Sequence, residues 1–367
     1  MNKNWIILTT ILLGVLALTL ISCSDEEPCT ETTWYQDADG DGLGDLNVTF
    51  QSCEAPAGYV SNSDDADDND SSNAINIDVD QSYFASANTE TTITTVSCTL
   101  SDGTETQCCQ IVTASTPGTD HQMGPWCPDN IADDASAGGI WLENGEVYDV
   151  DGAFVQNMAA FYNDNTWQMY DSNGDIYITE TEQDCIYAAN PNVGDAYENF
   201  CVECLPSYIS GLSQTWLIPI TPVKQDTPTD FAMMGPPGMG ATGPSLRGIA
   251  LNGVEFSAAA PVNNILSAYT LAPFDDAGGH INVNQGYHYH AATGLSFSVE
   301  QADGHAPLIG YAADGYGIFG RLDDNGEEPS DLDQCRGHYD DVRGYHYHVD
   351  YAGNNNFINC LHGAYVN

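Results

Sequence analysis

Basic residues are nearly absent from this sequence. It has 6 lysine and arginine residues against 53 aspartate and glutamate residues, and its formal net charge at pH 7 is −47. A surface with this charge repels DNA, RNA and anionic lipid headgroups, and it attracts divalent cations. We therefore exclude nucleic acid as a partner and expect metal ions among the ligands. A solvated acidic shell suited to a salty exterior is the alternative explanation for most of these carboxylates.

Three common enzyme motifs are missing as well. The chain has no Walker phosphate-binding loop, no glycine fingerprint for dinucleotides and no nucleophile elbow. Its 367 residues, 42% of them apolar, are enough for one large or two ordinary domains with a hydrophobic core. We therefore expect a globular protein whose function depends on none of these three motifs.

The N-terminal segment is typical of an exported lipoprotein. After Lys3, the apolar run WIILTTILLGVLALTLI has 17 residues, fewer than the roughly 20 that span a bilayer, and fits a signal peptide. The following LISC resembles the lipobox of bacterial lipoproteins, and SDEE resembles a signal for transport to the outer face of the outer membrane. We predict a signal peptide over residues 1–22 and a lipidated Cys23 that anchors the protein in the outer membrane, facing the cell exterior. An uncleaved membrane anchor is the alternative.

Residues 23–77 are acid-rich, and we interpret them as a stalk that carries a calcium-binding loop. The loop DADGDGLGD alternates hard oxygen ligands and has Gly42 at the sharp turn, as calcium requires. Its candidate calcium ligands are Asp37, Asp39, Asp41 and Asp45. Val48 stands where an EF-hand has its last acidic ligand, so the loop is closer to a thrombospondin type 3 repeat. An acidic spacer is the simpler alternative.

The wider stalk resembles the MopE-type metal-binding module. The resemblance lies in TWYQDADGDGLGD followed by SCEAPAGYVSNSDDADDND, and it implies a local disulfide between Cys29 and Cys53. The module's second acidic cluster normally contains a cysteine, which Ala66 replaces here. This departure weakens the inference of copper, and calcium is the expected ion of the stalk.

The 12 cysteines fit an oxidising compartment. Without Cys23 an odd number remains, so one thiol is free, binds metal or pairs between chains. Cys335 and Cys360 each closely precede a histidine and could form a disulfide that holds both histidine loops together. Cys127 is expected in an ordinary disulfide, with a role beside His121 as an outlying metal ligand or substrate contact as the alternative. For the pair in CVEC we favour disulfides over a zinc ribbon.

Residues 78–367 are expected to form a mainly β domain, with α+β as the alternative. Short β-branched or alternating segments such as TTITTVSCTL are separated by turn sequences, which is typical of a β-sandwich or a barrel-like domain with few short helices. One helix is expected in DGAFVQNMAAFYND, residues 151–164. A Gly/Pro-rich loop at 233–245 precedes a histidine-rich half, about residues 246–367.

The histidines carry the strongest signal. Eight of the 9 lie between residues 280 and 362, and GGHINVNQGYHYH at 278–290 is repeated as RGHYDDVRGYHYH at 336–348. Every histidine of the first segment recurs 58 positions later. Because side chains alternate faces along a strand, each YHYH places both histidines on one face, with their Cα atoms about 6.6 Å apart. If the two strands are neighbours, their four imidazoles converge on one site, and the preceding histidines complete it. These six candidate ligands are His280, His288, His290, His338, His346 and His348.

His305 and His362 follow the two repeats at similar distances and are expected to add a fourth histidine to each half. Sites rich in imidazole suit zinc, copper, iron or nickel rather than magnesium or calcium. Six to eight histidines exceed the needs of one tetrahedral zinc, so we expect two metal ions, or one metal ion and catalytic histidines. Copper is slightly favoured over zinc. The alternative is a metal-free ladder of histidines hydrogen-bonded to aspartates.

Beyond these repeats, the chain resembles the YHYH domain family of exported proteins. The resemblance runs from about residue 80 to the end and includes DHQMGPWCPDNI, GGIWLENGEVYDVDGAF, FCVECLP, FDDAGGH, HAPLIGYAADGYGIFG, CRGHYDD and CLHG. It implies membership of the family and export from the cell, and it assigns no reaction.

The sequence predicts a cell-surface lipoprotein that binds copper or zinc through its histidines. The first alternative is an extracellular metal-dependent hydrolase or oxidoreductase of unassigned substrate. In such an enzyme Asp314, in AADGYGIFG, would act as general base or orient an imidazole, although simple turn chemistry explains it equally well. The second alternative is a structural or adhesive surface module.

Overall fold

The computed structural model describes most of the chain after residue 30. The described residues are 31–40, 42–63, 65, 68, 76–87, 91–113, 123–124, 126–181, 184, 201–202, 212–231, 244–282, 285–294 and 297–366. The predicted signal peptide and the predicted roles of Cys23, Cys29, Asp41, His121 and Cys204 lie outside them. In the ranges above, no helix is both long and apolar enough to cross a membrane.

The acid-rich segment contains a small antiparallel sheet. Its strands are β1 (Thr32–Gln36), β2 (Asp45–Ser52) and β3 (Tyr59–Val60), in the order β2-β1-β3. β1 pairs with both neighbours, with a register shift between Tyr35 and Gln36. The predicted stalk therefore includes a folded unit.

Short strands and three short α-helices follow in the described part of the chain. The helices are α1 (Gln81–Ala87), α2 (Gly152–Phe161) and α3 (Val262–Ser267). The strands up to residue 230 are β4 (Thr92–Thr99), β5 (Glu105–Val112), β6 (Ile140–Glu143), β7 (Glu146–Asp149), β8 (Cys201–Val202), β9 (Thr215–Pro219) and β10 (Lys224–Asp230). Helix α2 confirms the prediction for residues 151–164. It begins where the Asp151 carboxylate accepts a hydrogen bond from the Phe154 N–H at 2.6 Å, and it buries Val155 and Met158.

The C-terminal half is built on an eight-stranded sheet. Its strands are β11 (Gly248–Ala250), β12 (Glu255–Phe256), β14 (Gly279–Asn282), β15 (Gly286–Tyr289), β16 (Leu308–Ala312), β17 (Gly317–Phe319), β18 (Gly337–Asp340) and β19 (Gly344–His348). Two further strands lie outside it: β13 (Thr270–Leu271) pairs with β8, and β20 (Cys360–Gly363) pairs with β10. The mainly β prediction is confirmed, and the sheets formed by the described residues do not close into a barrel.

The eight-stranded sheet has a symmetric strand order, β14-β15-β12-β11-β16-β17-β19-β18. At its centre β11 and β16 are antiparallel, and the pairing of Gly248 with Ala312 mirrors the pairing of Ala250 with Gly310. On either side, β12 runs parallel to β15, and β17 runs parallel to β19. Each half therefore ends in one β-hairpin at an edge of the sheet, and each hairpin carries one histidine repeat.

Tyrosines and histidines alternate along both YHYH strands. Tyr287, Tyr289 and Tyr347 belong to a buried hydrophobic cluster that also contains Phe256 and Phe357. The rings of Phe256 and Phe357 are 4.5 Å apart between centroids. Burial of these large rings supplies the hydrophobic free energy that holds both hairpins on the core. The histidines consequently lie together on the opposite face of each hairpin.

Each of the five described basic side chains has a partner, which is a carboxylate, a backbone oxygen or an aromatic ring. Arg321 and Arg336 bind Glu328, and Arg343 binds Asp303 and Asp340. Lys224 donates to the Asp39 carbonyl oxygen at 2.8 Å. Arg247 is buried and lies over the Phe231 ring at 3.9 Å.

Disulfides link Cys98 to Cys108 and Cys335 to Cys360, so the predicted second pairing is confirmed. Cys127 is also disulfide-bonded, as expected, and so is Cys53. Among the described residues Cys109 is a free, buried cysteine, and burial raises the pKa of its thiol to about 11. Cys109 therefore fits the expectation that one thiol of the odd number is free.

Removal of the Cys335–Cys360 disulfide is expected to lower stability. The disulfide closes a loop with a sequence separation of 25 residues. Loop-closure entropy predicts that the variant Cys335→Ala/Cys360→Ala loses about 3.5 kcal/mol of unfolding free energy, measurable by urea denaturation. The matched variant Cys98→Ala/Cys108→Ala opens a loop with a separation of 10 residues, and should lose about 2.7 kcal/mol. Equal stability of the first variant and the wild type would contradict the prediction.

Candidate metal centres

Four histidines converge at the edge of the sheet formed by the second repeat. His338 lies on β18 directly opposite His346 on β19, His348 ends β19, and His305 comes from the segment before β16. The Nε2 atom of His346 lies 3.1 Å from Nε2 of His305 and 3.0 Å from Nε2 of His338. Nε2 of His338 lies 3.2 Å from Nε2 of His348. We call these four residues the four-histidine group.

The other ring nitrogen of each of these histidines has an oxygen partner. Nδ1 of His305 donates to the Ala306 carbonyl oxygen at 2.9 Å, and Nδ1 of His346 donates to that of Gly344 at 2.9 Å. Nδ1 of His348 donates to the Gly320 carbonyl oxygen at 2.8 Å. Nδ1 of His338 donates to the Asp331 carboxylate at 2.9 Å. An oxygen acceptor requires a proton on Nδ1. An imidazole whose single proton is on Nδ1 has a lone pair on Nε2, so the atoms that face one another are lone-pair donors.

Lone pairs at this spacing repel one another unless a cation lies between them. Zinc–imidazole bonds of about 2.0–2.1 Å in a tetrahedron place neighbouring nitrogens about 3.3–3.4 Å apart. The observed separations of 3.0–3.2 Å are close to this value. The four-histidine group therefore has the composition and geometry to hold a metal ion.

Burial keeps three of these imidazoles, those of His305, His346 and His348, in the neutral form that binds metals. It lowers the pKa of His348 to about 3 and holds the pKa of His346 well below its usual value. The pKa of His305 is lowered for the same reason. The Phe319 ring packs on His305 and His346, with both centroid distances at 4.9 Å, and helps to exclude water.

The first repeat forms a second group at the opposite edge of the sheet, the three-histidine group. His280 on β14 lies opposite His288 on β15, and His290 directly follows that strand. The three ring centroids are 4.8 to 5.0 Å apart. His288 and His290 donate from Nδ1 to the carbonyl oxygens of Gly286 and Ala258, at 2.9 and 2.6 Å. This group also has the composition to hold a metal ion.

Burial at the three-histidine group is nearly complete. His280, His288 and His290 are 8%, 1% and 6% exposed. Burial lowers the pKa of His288 to about 4 and those of His280 and His290 well below the usual value. All three imidazoles are therefore neutral at pH 7.

The two groups rest on equivalent tyrosine–aspartate hydrogen bonds. Tyr287 donates to the Asp275 carboxylate at 2.7 Å, and Tyr345 donates to the Asp333 carboxylate at 2.8 Å. Each aspartate also accepts two backbone N–H groups from the turn before its hairpin, one of them from the residue just before the first histidine. Both aspartates precede that histidine by five residues. Sequence analysis missed them, although the shared spacing was a usable signal.

A glycine immediately before the first histidine allows the strands of each hairpin to pack closely. A Cβ atom on Gly337 would lie 2.0 Å from the Tyr345 hydroxyl oxygen, and a Cβ atom on Gly279 would lie 2.7 Å from the Tyr287 ring. Only glycine leaves room for these rings. The Gly-His dipeptide is therefore part of the structural repeat.

The structure separates residues that were expected to meet. Strands β12, β11, β16 and β17 lie between the two YHYH strands, so each repeat builds its own group. His305, expected to complete the first half, joins the second repeat. His362 belongs to neither group: its ring stacks on Tyr345 at 4.0 Å, and its Nδ1 lies 3.9 Å from the Asp333 carboxylate.

Asp314 occupies a position that anchors tyrosine rather than histidine. Its buried carboxylate accepts hydrogen bonds from the Tyr347 hydroxyl at 2.6 Å and from the Gly363 N–H at 2.9 Å. Burial raises its pKa to about 6. In the other half Asn252 donates to the Tyr289 hydroxyl at 3.0 Å. These contacts place Asp314 against Tyr347, and the carboxylate that accepts a hydrogen bond from the four-histidine group is Asp331.

The N-terminal aspartates form a third group. Asp37 and Asp39 lie close to Asp68, which comes from the second acidic cluster and was not predicted. Asp45 begins β2, accepts a hydrogen bond from the Asn47 N–H at 2.7 Å and is not a member of this group. Gly42 of the loop packs against the Tyr339 ring, which brings the loop next to β18.

Substitution of Asp331 by asparagine is expected to weaken metal binding at the four-histidine group. An amide accepts the Nδ1–H of His338 less strongly than a carboxylate does, so the imidazole becomes a poorer ligand. We expect a loss of about 10–100-fold in affinity, measured by chelator competition. Asp323→Asn is the control, since Asp323 accepts N–H groups only within its own exposed turn in the contacts described. Equal affinities in the two variants would show that Asp331 does not tune the group.

One family model matches part of the chain. Residues 215–332 match the family model described as YHYH protein. The match includes the first histidine repeat and supports the resemblance to this family; it ends before the second repeat and does not reach the N-terminal segment. The MopE-type resemblance is therefore unconfirmed. Searches among curated proteins and among solved structures each found no match.

Proposed function

We propose that this protein binds transition-metal ions at two separate centres, one at each edge of its eight-stranded sheet. The observation that carries the proposal is the orientation of the four-histidine group, in which Nδ1 protons point to oxygen acceptors and Nε2 atoms approach to 3.0–3.2 Å. A hydrogen-bonded ladder needs a proton between facing nitrogens, and the oxygen partners already hold those protons on Nδ1.

Zinc is the preferred ion of the four-histidine group. Its four imidazoles match the four ligands of a tetrahedral zinc site, and its nitrogen spacing of 3.0–3.2 Å lies between the edge of that tetrahedron and the shorter edge of a square plane. Adjacent nitrogens in the square plane that Cu²⁺ favours would lie only about 2.8 Å apart. Copper, slightly favoured by the composition of the sequence, is the alternative, and the Irving–Williams order lets it compete at any imidazole site.

A metal-dependent hydrolase or oxidoreductase is the second candidate function. It is favoured by the ligand count of the three-histidine group, since three imidazoles are one of the ligand sets of open, catalytic zinc sites. Among the described residues, three histidines form that group. The substrate is not assigned, and a purely structural or adhesive role is the remaining alternative.

The N-terminal features extend the proposal. The lipobox-like LISC supports a lipid anchor on Cys23 and a position at the outer surface of the outer membrane. Asp37, Asp39 and Asp68 support a calcium ion in the folded stalk. Labelling with a fatty acid, compared between wild type and Cys23→Ala, tests the anchor, and calcium content tests the loop.

Metal analysis tests the central proposal. The purified protein is dialysed and its metal content is measured by mass spectrometry, with two equivalents of zinc or copper expected per chain. Replacement of the four-histidine ion by Co²⁺ should produce the intense visible absorption of a tetrahedral site. Loss of all transition metal on dialysis, with calcium alone retained, would overturn the proposal and favour a structural module.

A further inference from the structure

Two open grooves lie side by side on a surface formed by α2, α3 and residues 164–177, and they belong to neither metal centre. The first has a volume of about 530 Å³ and is lined by Trp167, Tyr170 and Tyr177. The second has a volume of about 470 Å³ and is lined by Tyr162, Trp167 and Tyr269. Trp167 lines both, so the two grooves adjoin at this ring.

The aromatic rings of this surface are held in place by one another. The Trp167 ring stacks on Tyr162 with a centroid distance of 5.3 Å and an angle of 28° between planes. Tyr269 meets the same ring edge-on at 4.9 Å. Trp167 itself is only 8% exposed, whereas Tyr177 is 47% exposed. The surface therefore has a rigid base and an accessible ring.

Tyr269 occupies a backbone position that favours glycine. It follows Ala268, the C-cap residue of α3, and has φ of 51°, in the left-handed region that bulky side chains rarely adopt. Its hydroxyl donates to the Asp164 carboxylate at 2.8 Å, which directs the ring into the second groove. A tyrosine kept at a glycine position indicates that the ring serves a purpose other than chain reversal.

The rims of the grooves are polar, and no described lining residue is basic. Gln156 and Gln168 are exposed at the first groove, and Asn263 and Ser267 are exposed at the second. Asp164 is the charged lining residue. Together with the net charge of −47, this composition disfavours any anionic ligand.

We propose that this surface, the Trp167 surface, binds a neutral glycan chain. Pyranose rings have apolar C–H faces that pack on aromatic rings, and hydroxyl groups that bond to side-chain amides and carboxylates. Two adjoining grooves of similar volume match consecutive sugar units of a polymer. Binding at the Trp167 surface would hold the protein on a polysaccharide independently of its metal centres.

Binding of neutral glycans tests the proposal directly. Hexasaccharides of β-1,4-glucose, β-1,3-glucose, xylose and N-acetylglucosamine are titrated into the purified protein by calorimetry, with oligoalginate as the anionic comparison. We expect at least one neutral hexasaccharide to bind, in EDTA as well as in zinc, and oligoalginate not to bind. Tyr177→Ala and Gln168→Ala should each weaken binding by about tenfold or more, since the first removes the accessible ring of the groove and the second removes an amide that bonds to sugar hydroxyls.

The control is Phe50→Ala, which removes an exposed ring far along the chain on β2 and should leave affinity unchanged. Circular dichroism confirms that each variant is folded. Tyr269→Gly adds a second check, because glycine suits the backbone there while the ring is lost: it should stay folded and bind less tightly. Absence of binding to all four neutral glycans, or binding that these groove variants do not weaken, would overturn the proposal.

Discussion

His346→Ala is expected to remove one of the two bound metal equivalents and to leave the other in place. His346 supplies the Nε2 atom that lies within 3.1 Å of two other Nε2 atoms, so its loss opens the centre of the four-histidine group. The affinity should fall by more than the 10–100-fold that loss of an outer hydrogen-bond partner costs. The three-histidine group keeps its ligands because four strands separate the two YHYH strands.

His288→Ala should show the converse result, and the double variant His288→Ala/His346→Ala should retain no transition metal. Metal content by mass spectrometry after dialysis measures all three. His362→Ala is the matched control, since this histidine lies in neither group and should leave two equivalents bound. If either single variant lost both equivalents while remaining folded, the histidines would form one shared centre, and the separation inferred from the strand order would be contradicted.

Metal-stripped protein is expected to lose stability steeply as the pH falls below about 6.5, the pKa of histidine in an unfolded chain. In the folded protein, burial lowers the pKa of His288 to about 4 and that of His348 to about 3. Between these values and 6.5 the unfolded chain binds more protons than the folded protein. Stability is therefore complete above the unfolded pKa and falls with decreasing pH, by about 1.4 kcal/mol per pH unit for each histidine.

The effect adds over several histidines. His280, His290 and His346 also have pKa values well below the usual one because they are buried. Five such groups together give about 7 kcal/mol per pH unit, comparable with the 5–15 kcal/mol that stabilise a typical domain. We therefore expect the metal-free C-terminal half to unfold within about two pH units below 6.5.

Urea denaturation in EDTA at pH 7.5, 6.5 and 5.5 measures this dependence. Over this range most aspartates and glutamates stay ionised, so relief of their mutual repulsion contributes little. Saturating zinc is the control and should raise the midpoint at pH 7.5, because the ion binds the folded protein more tightly than the unfolded chain. Equal midpoints at pH 7.5 and 5.5 in EDTA would mean that the histidines are not buried as neutral groups.

Several features of the centres followed from local sequence alone. Alternation along a strand places both histidines of each YHYH on one face, and the structure confirms that His288 and His290 meet, as do His346 and His348. A short hairpin explains why the first histidine of each repeat lies opposite the second, since its two strands adjoin in the chain. Helix α2 was likewise readable from its periodicity. These features depend on residues within one element or one turn.

Other features depended on contacts between residues far apart in the chain, and only the tertiary structure decided them. Strand spacing alone does not reveal that β15 pairs with β12 and β19 with β17, which places the repeats at opposite edges. His305 reaches the second repeat across 41 residues, and the Asp314 carboxylate binds the Tyr347 hydroxyl rather than an imidazole of either group. The sequence determined that the histidines form sets. The pairing of β11 with β16 at the centre of the sheet decided that there are two sets, because it leaves the two hairpins at opposite edges.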